Sequence, residues 1–208
     1  MPYLNGSGAV PNHEGAPMPA ILLFTPFLRR LGDGKFFRAA FPIFFRACAA
    51  LAALGALYGS YLLWHSVTRE MGFNGFLALA LTQLLLLALG LLAVNVLWLG
   101  AEEAEGVPQA EGHVTPMVAI ALRAAGEVLG AAQVLGGVAI AVLGWLGQGW
   151  AATRIFGPFW LARPTDGVLA ILEGFGYGFA VLALFHFAAE LASAIWAVDR
   201  NTRRGKGG

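Results

Sequence analysis

Four long runs of apolar residues dominate this chain of 208 residues. They lie at about residues 44–64, 73–99, 115–146 and 167–198. A helix needs about 20 mostly apolar residues to cross the hydrocarbon layer of a bilayer, which is about 30 Å thick. Strands of a membrane barrel alternate apolar and polar residues instead, and these runs are apolar throughout. The sequence therefore predicts an all-α integral membrane protein, a bundle of four transmembrane helices.

Composition excludes several other classes of protein. Residues of the set AVILMFWYC make up 58% of the chain and charged residues only 12%, against about 25% charged residues in soluble domains. A soluble domain, a disordered chain and a nucleic-acid-binding protein are all poor matches to these values. The lone Cys48 cannot build a disulfide framework or a cysteine-rich metal cluster.

The sequence contains no motif that points to catalysis. The glycines of Gly174–Gly178 lie inside an apolar run, whereas a nucleotide-binding loop follows a strand. No histidines or aspartates occur at metal-binding spacing, and no serine or cysteine has a candidate base nearby. We therefore expect a protein that is not an enzyme and that has no cofactor, no catalytic residue and no metal ligand.

Flanking segments divide the chain into four parts. Residues 1–18 are rich in Gly, Pro and Asn and predict a flexible tail, and residues 200–208 form a basic tail. Residues 19–38 combine basic and aromatic residues and predict a segment in the headgroup layer, or an ordinary lead-in packed on the bundle. The membrane domain then covers residues 39–199. Similar short patterns in its two halves suggest two tandem helical hairpins.

The distribution of basic residues predicts the orientation of the chain. Cytoplasmic loops of membrane proteins carry an excess of Lys and Arg. An arrangement with both termini in the cytoplasm, in a bacterial inner membrane, leaves only Arg69, Arg154 and Arg163 on the far side. It places the acidic loop Gly100–His113 in the cytoplasm, where the loop either receives a basic partner or is simply solvated. The cytoplasmic basic residues are Arg29, Arg30, Lys35, Arg38, Arg46, Arg123, Arg200, Arg203, Arg204 and Lys206.

Five polar side chains from all four spans are expected in one layer of the inner leaflet. Charges inside a membrane are costly and are normally paired or directed towards other helices. This layer has three alternative interpretations. It is a set of ion pairs that hold the helices in register, an entry site for a proton or cation, or a set of arginines that reach lipid phosphates. Its members are Arg46, Asn95, Arg123, Glu127 and Glu190.

The fourth span contains a second group of titratable residues. His186 and Glu190 are four residues apart and share a helix face, and Glu173 lies towards the outer boundary. A histidine near the middle of a span is unusual, and these three residues are a candidate proton or ion path. The alternative is a histidine that is hydrogen-bonded to a neighbouring carboxylate or carbonyl group.

Glycines at helical spacing predict close helix packing. Small residues four positions apart let two helix backbones approach each other in a membrane. Such glycines occur in the first, third and fourth spans. The predicted packing glycines are Gly55, Gly59, Gly126, Gly130, Gly137, Gly174 and Gly178.

Two functional hypotheses follow from these patterns. The first is a non-catalytic membrane subunit that packs against helices of a larger complex, with the lipid bilayer and other membrane subunits, or further copies of itself, as partners. The alternative is a small oligomeric channel or a proton- or cation-coupled transporter that uses the charged residues of the third and fourth spans. The scarcity of polar residues in the second span favours the subunit, because a conduit needs a polar lining.

Overall fold

The structure, a computed structural model, describes residues 35–65, 72–107, 115–148 and 167–204. All four helices in these ranges contain a segment long and apolar enough to cross a membrane. The prediction of a four-helix membrane bundle is confirmed. The helices are α1 (Lys35–His65), α2 (Phe73–Gly106), α3 (Thr115–Trp145) and α4 (Val168–Arg204).

The helices extend beyond the predicted spans at one end of the bundle. α1 includes the last residues of the predicted interfacial segment 19–38, and α4 continues into the predicted tail 200–208. α2 runs to Gly106, so the first part of the predicted acidic loop is helical. Ala and Glu are strong helix formers, and after Gly100 the next helix-breaking residues are Gly106 and Pro108. The predicted tail 1–18, most of the predicted segment 19–38 and the residues between Gln148 and Gly167 lie outside the described residues.

Neighbouring helices are antiparallel and pack in chain order. α3 and α4 share the largest interface, α1 and α2 the next largest, and α2 also packs on α3. No interface of similar size joins α1 to α4 within the described ranges. Two helical hairpins, α1–α2 and α3–α4, therefore meet along α2 and α3.

Two buried apolar clusters lie at opposite ends of the bundle, and α3 contributes to both. Here the charged end denotes the end that contains the start of α1 and α3 and the end of α2 and α4. The cluster at the charged end comprises Phe45, Ala101, Ala104, Met117, Ile120 and Ala124. The cluster at the other end, the far end, comprises Ala78, Ile140, Ala141, Leu143 and Ala170.

A glycine turn ends α3 at the far end. Gly147 has a φ of 76°, a left-handed conformation that glycine adopts without strain. The Gly147 amide donates to the Gly144 carbonyl at 3.1 Å, and the Gln148 amide donates to the Leu143 carbonyl at 2.6 Å. These bonds satisfy carbonyl groups that the end of a helix leaves unpaired.

Candidate functional site

Glycines bring the backbones of α3 and α4 into close contact. A Cβ atom at Gly126 would lie 2.5 Å from the Phe185 Cβ, and one at Gly178 would lie 2.7 Å from the Gly130 carbonyl oxygen. Real Cβ atoms are not found at such distances, so α3 and α4 can meet here only because these positions lack side chains. This close approach fixes which polar side chains of the two helices face each other.

A carboxylate of α3 faces an imidazole of α4 beside this contact. The His186 Nε2 lies 3.9 Å from the Glu127 Oε1, and the His186 Nδ1 lies 3.0 Å from the Leu182 carbonyl oxygen. A carbonyl oxygen only accepts hydrogen bonds, so this contact assigns a proton to Nδ1 and points Nε2 at the carboxylate. In a neutral His186, Nε2 then carries a lone pair, which repels a carboxylate. Nε2 and Oε1 attract each other only when a further proton is on either His186 or Glu127.

The Glu127–His186 pair lies near the middle of the membrane spans. Glu127 is about three residues from the midpoint of the span Thr115–Trp145, and His186 is about three from the midpoint of Val168–Val198. At 1.5 Å per residue the displacement is about 4.5 Å in each helix, within a hydrocarbon layer about 30 Å thick. Both side chains are only partly buried, at 40% exposure for His186 and 39% for Glu127. The pair is therefore a polar site at the depth where polar groups are most costly.

A groove of about 420 Å³ opens beside Glu127 between α2, α3 and α4. Glu127 is the one titratable residue in its lining, and the others are apolar or glycine. The lining residues are Leu92, Val96, Glu127, Gly130, Ala131, Val134, Phe175, Gly178, Phe179 and Leu182.

The two arginines of the predicted polar layer pair with acidic residues near the end of α2. The Arg46 Nη2 lies 2.8 Å from the Glu105 Oε1, and the Arg123 Nη1 lies 3.3 Å from the Glu103 Oε1. These four residues are called the α2 clasp below, because they tie α1 and α3 to the end of α2. All four side chains are about half exposed, and such pairs contribute about 0–1 kcal/mol each.

The remaining members of the predicted polar layer do not join these arginines. The Asn95 Nδ2 donates to the Leu91 carbonyl of its own helix at 2.9 Å. Glu127 faces His186 instead of Arg123. Glu190 is exposed, and it has no ion pair or side-chain hydrogen bond with any residue that the structure describes. The five residues therefore do not form one connected cluster.

The residues of the candidate path in α4 are spread along the helix. Glu173 lies 13 positions before His186, which is about 20 Å along a helix axis. Glu190 follows His186 by one turn, towards the charged end. The structure brings Glu127 of α3 to His186, while Glu173 lies near the far end.

Sequence reasoning missed three pairings: Arg46–Glu105, Arg123–Glu103 and Glu127–His186. The predicted acidic loop Gly100–His113 includes Glu103 and Glu105, although the helix formers around them favour a longer α2. The two glycine motifs predict that α3 and α4 pack closely, but they do not give the register that brings Glu127 to His186. A straight antiparallel register with Gly130 opposite Gly178 would put Glu127 level with Val181, about five residues from His186.

The predicted packing glycines occupy different environments. A Cβ at Gly59 would lie 3.1 Å from the Leu86 Cδ2, between α1 and α2. Gly137 and Gly174 are buried. Gly55 is exposed, and a Cβ there would have no neighbour within 4 Å, so its packing role stays a prediction. Gly90 was not predicted, yet its Cβ would lie 2.5 Å from the Ala56 Cβ.

Comparison with known proteins finds no matching family model, no similar curated protein and no similar solved structure. Function must therefore be inferred from the side chains of this chain alone.

Proposed function

We propose that this chain is a non-catalytic subunit of a larger membrane complex, in which helices of other subunits pack against it. The supporting observation is the exposed Glu190 on α4. It lies about seven residues from the midpoint of the span Val168–Val198, or about 10 Å along the helix. That depth is inside the hydrocarbon layer, whose half-thickness is about 15 Å.

An acidic side chain that faces lipid at this depth is unfavourable. The cost for Asp, Lys or Arg at the centre of a span is about 2.5–3.5 kcal/mol on insertion scales and falls towards the interface. A polar or basic group of a neighbouring helix removes much of this cost, because charges in membranes are normally paired. α4 packs extensively on α3 alone, so its opposite face is available to a second helix. Glu190 is therefore the residue that we expect a partner helix to cover.

Photo-crosslinking in native membranes tests this role. A photoreactive amino acid at Ala194, one turn beyond Glu190 and also exposed, should form an adduct with a protein of defined mass. The same residue at Leu84, exposed on α2, is the matched control and should form lipid adducts only. Replacing Glu190 with leucine should lower the yield of the Ala194 adduct. Lipid adducts alone at both positions would contradict the subunit role.

We further propose that the charged end faces the cytoplasm of a bacterial inner membrane. Arg46, Arg123 and the basic end of α4 all lie at this end. Cytoplasmic segments of membrane proteins carry an excess of Lys and Arg, which supports this orientation. In a Cys48→Ala background, a cysteine at Gly72 should react with an impermeant thiol reagent in intact cells, and a cysteine at Glu102 should not. Labelling at Glu102 alone would reverse the orientation.

A second candidate function is a channel or a proton- or cation-coupled transporter. The observation that favours it is the Glu127–His186 pair, which places two titratable side chains 3.9 Å apart near the middle of the membrane. A flux measurement in liposomes separates this function from the subunit role.

A further inference from the structure

The groove between α2, α3 and α4 combines apolar walls with one carboxylate that lacks a hydrogen bond. The Glu127 Oε1 is 3.9 Å from the His186 Nε2, which is too long for a hydrogen bond. Among the described residues, no side chain donates a hydrogen bond to Glu127. Removal of a carboxylate from water is costly unless a donor or a cation replaces the water. A neutral His186 with its Nδ1 proton on the Leu182 carbonyl turns the Nε2 lone pair towards Glu127, so the positive charge that the carboxylate then lacks must come from the groove.

The walls of the groove determine which kind of cation fits. Leu92 and Val96 of α2 face the groove from one side, and Phe175 and Phe179 of α4 contribute two aromatic rings. A small hydrated cation would lose its water shell against these side chains. An organic cation with an apolar body would bury that body against them, and aromatic faces also attract cations. The volume of about 420 Å³ lies within the range of about 300–1,000 Å³ that is usual for small-molecule sites.

We propose that this groove binds a hydrophobic organic cation, with its positive centre on Glu127 and its apolar body between α2 and the Phe175–Phe179 face of α4. A lipid acyl chain could fill the same volume but would leave the carboxylate uncompensated. Charge complementarity therefore favours the cation. The inference does not depend on the subunit role, because Glu190 is not part of the groove lining.

Equilibrium dialysis of the purified full chain in nonionic detergent tests the proposal. The probes are methyltriphenylphosphonium, which is cationic, and triphenylphosphine, a neutral molecule of similar shape. We expect saturable binding of the phosphonium and binding of the phosphine that is about tenfold weaker or more, as for loss of an interaction with a charged group.

Three variants locate the site, and a fourth is the control. Glu127→Gln should weaken phosphonium binding by about tenfold or more, while Glu127→Asp, which keeps the charge, should retain part of it. Ala131→Phe should block the probe by filling the groove, in which Ala131 lies. Glu102→Gln removes an equal charge from an exposed position on α2 and should bind the phosphonium like the parent. Circular dichroism and gel-filtration profiles equal to those of the parent confirm that each variant is folded.

Three results would overturn the proposal. The first is equal binding of the two probes, which would indicate a purely apolar groove filled by lipid chains. The second is phosphonium binding that Glu127→Gln leaves unchanged. The third is no saturable binding of the phosphonium by the folded parent protein.

Discussion

At the scale of single residues, the α3–α4 contact depends on the absence of a few Cβ atoms. Gly178 and Gly176 are two residues apart on α4, but their surroundings differ. A Cβ at Gly178 would lie 2.7 Å from both the Gly130 carbonyl oxygen and the Val134 Cγ2, whereas a Cβ at Gly176 would have no neighbour within 4 Å. The two positions therefore form a matched pair for measuring what close backbone packing contributes.

We expect Gly178→Ala to lower the midpoint of thermal unfolding in detergent, followed by circular dichroism. Overpacking costs about 1–3 kcal/mol, partly offset by a gain of about 1 kcal/mol because alanine favours helix over glycine. Gly176→Ala receives only the gain and should be neutral or slightly stabilising. Equal shifts in the two variants would contradict the packing role of Gly178.

The sequence predicts this contact better than it predicts the α1–α2 contact. Gly126, Gly130, Gly174 and Gly178 form two recognisable motifs, and motifs of this kind predict close packing whatever the partner. Gly90 stands alone in a leucine-rich run. Its contact with Ala56 depends on the register between α1 and α2, which no local pattern reveals.

At the scale of helices, the end of α2 holds the charged end of the bundle together. Glu103 reaches α3 and Glu105 reaches α1. Trp98 donates from Nε1 to the Glu102 Oε1 at 3.1 Å, and its ring lies 5.6 Å from the Arg46 Cζ. The sequence identifies both arginines as members of a polar layer, but the partners follow from the length of α2. A helix that continues to Gly106 carries Glu103 and Glu105 to the arginines of the two neighbouring helices.

The Arg123–Glu103 pair should show measurable coupling in a double-mutant cycle of unfolding free energies. We expect about 0.2–1 kcal/mol from Arg123→Ala, Glu103→Ala and the double variant, because both side chains are about half exposed. The charge exchange Arg123→Glu with Glu103→Arg should recover stability that Arg123→Glu alone loses. The corresponding exchange between Arg123 and Glu190 is the control and should recover none. Recovery with Glu190 in place of Glu103 would contradict the α2 clasp.

At the scale of the whole molecule, two hairpins meet along α2 and α3 and leave a groove open beside Glu127. Four spans and their antiparallel order follow from the apolar runs, because consecutive spans of one chain cross the membrane in opposite directions. The groove does not follow from them, because it depends on how far α4 lies from α2. The groove lies beside the Glu127–His186 pair, so the polarity of its lining decides whether protons could reach the pair through it.

We expect liposomes that contain the purified chain alone to remain impermeable to protons. Apart from Glu127, the groove is lined by apolar residues and glycine, and Glu173 lies about 20 Å from His186 along α4. A path for protons would need closely spaced polar groups or water across about 30 Å of hydrocarbon. The measurement is the fluorescence of a pH-sensitive dye inside the vesicles under an imposed potassium diffusion potential, with protein-free vesicles as the control. A proton flux that both His186→Ala and Glu127→Gln abolish would instead establish a conduit, with the pair as its central proton-binding site.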